Sequence, residues 1–203
     1  MKMRDLMEAV IPLTEMPALV PQSQEDDIHV NHPEVNTLEY QRLLRSHYNP
    51  LAENDHYVIG NIVEEHEGEF FLADIRAKKL CYTAQYEIMK IDGLGKCCST
   101  YMLWKSKDCP VKDITQKIFW GPMIQNYDTI LSDKTHTQDG KAYWIARMEE
   151  ATHKGLTVGY ISDDGEAQVF GGGNVREWIQ SLGTWGYEIE FEETRFFITR
   201  RKV

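Results

Sequence analysis

Asp133, Lys134, Thr135, His136 and Thr137 form the densest run of proton-carrying side chains in the chain, directly ahead of an expected helix start. An imidazole titrates near neutral pH, so His136 is a candidate general base, with Asp133 orienting its ring. A helix start also presents free backbone amides to an anion. Asp139 in the same loop would repel such an anion and reads as an ordinary N-cap. A second candidate cradle is the Gly171-Gly172-Gly173 run leading into Asn174, where Gly172, Gly173 and Asn174 would expose amides at the next helix start. The alternative for the run is a connector that lets strand and helix pack at an angle, and the alternative for His136 is a solvated loop histidine. His-x-Thr occurs once, whereas a two-histidine phosphoesterase needs two such motifs facing each other. His29 and His32 beside Asp26 and Asp27 have metal-ligand chemistry but lie in a segment of linker composition.

Hydrophobic spacing supplies the elements that must position these groups. Leu38, Leu43, Leu44 and Tyr48 predict a helix that ends at Asn49-Pro50. A meander follows, with strands over 57–63, 70–75, 80–91 and 96–104. The turns between them are the polar run at 65–68 and Asp92-Gly93-Leu94-Gly95, whose Asp-Gly pair is a strong hairpin signal. The stretch 111–119 reads as a helix stopped by Gly121-Pro122, and 126–131 as a short strand. Trp144, Ile145, Met148, Ala151 and Thr152 share one face of a helix over 140–154, with Gly155 at its stop. Strand signals at 156–160 and 167–170 come next. Asn174 then caps a helix carrying Trp178, Ile179 and Leu182, and a hairpin over 187–192 and 195–199 closes the pattern. The fold class expected from this order is mixed α+β, with a mostly antiparallel twisted sheet flanked by helices.

The totals bound the rest. At 203 residues and 42% apolar content the chain can bury one sizeable core. Its net charge is −10, which argues against a broad basic face for nucleic acid; Thr199-Arg200-Arg201-Lys202 is the one local basic patch. Residues 1–40 carry two basic and eight acidic residues, so −6 of the charge lies there. With Pro12, Pro17, Pro21 and Pro33, residues 1–36 read as a short helix and an acidic linker, and residues 37–203 as a single domain. Cys81, Cys97, Cys98 and Cys109 show no CxxC spacing, and no secretory leader or membrane-length apolar run is present, so reduced thiols in a cytoplasm are expected.

Strands, then helix–strand–helix, then a terminal hairpin is the element order of the GNAT superfamily of N-acetyltransferases, and the chain resembles that family over residues 57–203. The detail is concentrated in NVREWIQSLGTWGY at 174–187 followed by EIEFEETRFFITRR, with Trp185-Gly186-Tyr187 standing where the family has a Leu-Gly-Phe-like stop. The resemblance implies a GNAT-like fold and acyl transfer from acetyl-coenzyme A, or another acyl-coenzyme A, to an amine. The cofactor phosphates would then lie against Thr137, Gly140, Lys141, Gly172, Gly173 and Asn174. The chain departs from the family pattern at 135–141, where a single glycine replaces the glycine-rich pyrophosphate loop, and at Ser181, which stands near the family's acidic tyrosine. The N-terminal MKMRDLMEA is similar to the leader of proteins that tailed bacteriophages package, which are cut after Leu-x-Glu; Leu6-Met7-Glu8 and Leu13-Thr14-Glu15 both fit. That likeness implies a phage protein acting in the host cytoplasm or packaged in the virion. The chain is then either an acyltransferase for a small-molecule amine or an acidic, non-catalytic module that meets a basic patch on a host protein.

Overall fold

The computed structural model describes residues 32–133, 138–162, 164–182 and 194–202. In chain order the elements are α1 (Pro33–Arg45), β1 (Asn49–Glu53), β2 (Tyr57–Val63), β3 (Glu67–Asp74), β4 (Lys79–Ile91), β5 (Gly95–Lys105), α2 (Ile114–Ile118), α3 (Ile124–Asn126), β6 (Thr129–Leu131), α4 (Gln138–His153), β7 (Thr157–Ile161), β8 (Ala167–Val169), α5 (Val175–Ser181) and β9 (Arg195–Thr199). The fold is mixed α+β. Its nine-stranded sheet runs β1-β2-β3-β4-β5-β6-β9-β7-β8 and is mostly antiparallel, with β5 and β6 parallel. No described helix is long and apolar enough to cross a membrane. The described residues divide into two compact units, one of residues 32–88 and 100–121 and the other of 89–99 and 122–202.

In the first unit α1 starts earlier than the leucine spacing predicts. Pro33 sits in the first turn, where its fixed φ suits a helix and its missing N–H is no loss. Glu34 near the start and Arg42 and Arg45 near the end oppose the helix dipole. Tyr40 and Leu43 face the sheet and join Val58, Ile62, Phe71, Ala73, Leu80 and Trp104 in one core. Asn36 fastens the helix to β4, donating to the Leu80 carbonyl at 3.0 Å and accepting from the Leu80 N–H at 2.8 Å. Leu80 is open to this because β4 carries one extra residue, Cys81, where the register shifts against β3. On β2, β3 and β4 the residues between these core positions form a second buried layer. Phe70 stacks on Tyr86 at 5.0 Å, and the Tyr86 hydroxyl donates to Asn61 Oδ1 at 2.8 Å. Gly68 is required there, since a methyl group in its place would run into the Tyr86 ring. The expected 70–75 strand begins at Glu67, so part of the polar 65–68 run is strand. β1, which Asn49-Pro50 had marked only as a helix stop, pairs with β2 as an edge strand, a position that tolerates proline.

In the second unit β9 runs between β6 and β7, antiparallel to both. Leu94, Cys97, Leu131, Ile161 and Phe197 pack together beneath it. Thr129 links three segments, its hydroxyl donating to the Leu94 carbonyl at 2.7 Å and lying 2.8 Å from the Thr199 hydroxyl. The expected face of α4 is the buried one: Trp144, Ile145, Met148 and Ala151 are all interior, while Thr152 turns its hydroxyl back to the Glu149 carbonyl. Gly155, at φ 71°, ends the helix with paired bonds from its own N–H and that of Leu156. Back in the first unit, the expected helix over 111–119 is shorter, Ile114–Ile118, starting after Asp113 in a left-handed conformation (φ 60°), and the chain kinks at Gly121, just before Pro122. The strand expected over 187–192 lies outside the described residues.

Candidate functional site

The described residues form a groove of about 400 Å³ in the first unit, between α1 and the sheet. Its construction follows from strand alternation. Along β3, Glu67, Glu69 and Phe71 share one face. Phe71 lies in the core under α1, Glu69 stands at the edge of that core, and Glu67 stands in water, so one strand runs from a dry end to a wet end in five residues. Val35, Ile62, Leu80 and Met102 supply an aliphatic wall, and Glu39, Glu64, Thr83, Gln85 and Tyr101 complete the lining.

Glu69 is the centre of the inner end. Its side chain is 9% exposed, and a carboxylate so placed needs partners. It has two. Arg42 Nη2 donates to Oε2 at 2.6 Å, and the Thr83 hydroxyl donates to Oε1 at 2.5 Å. Arg42 also donates through Nε to Glu39 at 2.7 Å. Partial burial works against the guanidinium charge, and the bonds to Glu69 and Glu39 outweigh it, so the Arg42 pKa is held above its ordinary value. A guanidinium held by two carboxylates is a fixed cation.

The outer end has charge without compensation. Register places Glu67 directly opposite Glu87 on β4, and like charges facing each other across strands repel. Among the described residues, Glu64, Glu67 and Glu87 have no cationic side-chain partner. Tyr101, 44% exposed, borders this end, its phenol pKa raised first by burial and then by Glu67, Glu69 and Glu87. No group of three metal-ligating side chains close enough to hold an ion occurs among the described residues. The groove therefore combines an aliphatic wall with dispersed carboxylates, an arrangement suited to an organic cation with an apolar stem.

Of the residues singled out from sequence, Asp26, Asp27 and His29 lie outside the described residues, His32 is exposed just before α1, and the candidates at the helix starts belong to the second unit. Asp133 is half-buried just after β6, and its carbonyl accepts from the Ser132 hydroxyl at 3.1 Å. His136 and Thr137 lie outside the described residues. Gly140 and Lys141 fall in the first turn of α4 and are half-buried. Gly172 and Gly173 are exposed at φ 111° and 100° and lead into Asn174. The Asn174 side chain accepts from the Arg176 N–H at 3.0 Å and the Glu177 N–H at 3.3 Å, so it satisfies two of the first α5 amides itself. Arg176 forks onto Glu149, with both N–O distances 3.1 Å. Glu149 lies nine residues beyond Gly140, about 13 Å along the helix, so the start of α5 is tied to α4 far from the Gly140 turn.

The four thiols are not activated. Cys81 and Cys97 are pushed up to about 11, chiefly by burial, and burial also holds Cys98 and Cys109 above the ordinary thiol value. Sequence spacing had not marked Arg42, Glu69 or Tyr101. The available signal was Glu67-x-Glu69-x-Phe71, acidic residues on the face that next turns apolar. No protein-family model matches the sequence, and no curated protein matches it.

Proposed function

We propose that this chain is an acidic interaction module on a GNAT-like scaffold, a phage protein that meets a basic patch on a host protein through the groove of its first unit. The observation that carries the reading is the set of uncompensated carboxylates, Glu64, Glu67 and Glu87, beside an aliphatic wall. Complementary charge speeds encounter and selects the partner, and such binding weakens with salt. The test is calorimetric titration with a lysine-rich peptide. Saturable binding that weakens steadily from low to high salt is the expected result; no heat at low salt would remove the proposal.

A second reading is acyl transfer from acetyl-coenzyme A to an amine. Its support is the element order of the second unit, where strand β6 leads to α4 and β7, and an Asn174-capped helix precedes the closing strand β9. Fold order by itself carries no chemistry. In this reading His136 and Asp133 would handle the acceptor proton, and Thr137, Gly140 and Lys141 the cofactor phosphates. Acetyl-coenzyme A should then raise the thermal midpoint, and an unchanged midpoint at millimolar ligand leaves the module alone.

A further inference from the structure

We infer that the outer end of the groove takes the side chain of a single lysine on the partner protein, its ammonium between Glu67 and Glu87 beside Tyr101; this rests on the interaction reading above. Three observations converge on the place. Glu67 and Glu87 face each other across β3 and β4, a repulsion that a cation seated between them relieves. The Tyr101 phenol is close enough to feel both charges, and it adds an oxygen that accepts a hydrogen bond. Ile62 and Met102 line the same cavity as Glu67 and Tyr101, which gives the stem an aliphatic bed.

The inner end shows what the outer end lacks. There the same groove already holds a cation of its own, Arg42, on Glu69 and Thr83. A charge on this sheet face is thus satisfied wherever the chain supplies a partner, and Arg42, tied on its other side to Glu39, stays at the inner end. The ligand's chemistry follows from the spacing. Among the described residues no third metal-ligating side chain joins Glu67 and Glu87 closely enough to hold a metal ion. An ammonium at the end of a four-carbon stem instead places its charge at the rim and its methylenes against the wall, as lysine does on apolar surfaces. Arginine is the poorer fit, because its planar fork seeks two oxygens of one carboxylate.

The experiment titrates the full chain with a short glycine-serine peptide bearing one central lysine, its N-ε-acetylated counterpart, and free spermidine. The Glu67→Gln/Glu87→Gln variant is titrated alongside. Both substitutions are isosteric and exposed, and they remove a repulsion, so the variant's thermal midpoint should be equal to or above that of the parent. Binding of the lysine peptide that weakens about tenfold on acetylation, and about tenfold in the variant, is the expected result. Equal binding of the acetylated peptide, or undiminished binding by the variant, overturns the assignment, as does binding of spermidine with none of the peptide. Should the lysine-rich peptide still bind the variant in full, this pairing falls and the interaction reading stands; should no lysine peptide bind the parent, both fall.

Discussion

At the scale of single residues, charge in this chain is either locked or open, and the difference is set by neighbours. Asp128 is locked. Its carboxylate accepts from the Lys96 N–H at 2.9 Å and lies 3.5 Å from Arg201, and these contacts, the backbone bond foremost, hold its pKa below the ordinary carboxylate value. A depressed carboxylate contributes stability above the ordinary value of about 3.9 and loses it as pH falls through the depressed value. Asp128→Ala should therefore lower the thermal midpoint at pH 7, and the gap from the parent should narrow in strong acid; a gap constant between pH 7 and pH 2.5 would assign the effect to packing. Glu69 is locked by Arg42 and Thr83, while Glu67 and Glu87 remain open. The same residue type thus has two uses on one sheet face, and only the register tells them apart.

At the scale of elements, α1 decides whether the groove exists. It is held by its apolar face, with Leu43 fully buried against Phe71 and its neighbours, and by the Asn36 bridge to Leu80. Leu43→Ala should cost about 2–5 kcal/mol in urea unfolding, the range for a large-to-small change in a core; a cost under about 1 kcal/mol would mean that the helix contributes little to the first unit. The helices and strands were legible where each end had its own signal. Asn174, Gly155 and the apolar stripe of Trp144, Ile145, Met148 and Ala151 gave α4, β7 and α5 nearly to the residue. β1 was hidden, because Asn49-Pro50 reads as a helix stop, and a proline in an edge strand is set by pairing, not by local propensity. The start of β3 was hidden for a related reason: Glu67 and Glu69 look like turn residues until strand pairing puts them on a sheet.

At the scale of the molecule, the sequence yielded the mixed α+β class and the excess of acid, and it directed attention to the loops of the second unit, where glycines and a histidine stand at helix starts. The groove was out of reach of that reasoning because its members come from α1, β2, β3, β4 and β5, separated by tens of residues and brought together only by register and by the helix packed over them. A net charge of −10 spread evenly would attract any cation weakly; carboxylates gathered in one groove beside an aliphatic wall give a place where a cation is chosen. The most direct measurement of this claim is a titration of isotopically labelled protein with a lysine-rich peptide, followed by amide NMR. Saturable shifts confined to the groove, at residues 35–42, 64–69, 83–87 and 100–102, are the expected result. Shifts centred elsewhere, as on the acidic turn at 164–166, or no shifts at low salt, would contradict it.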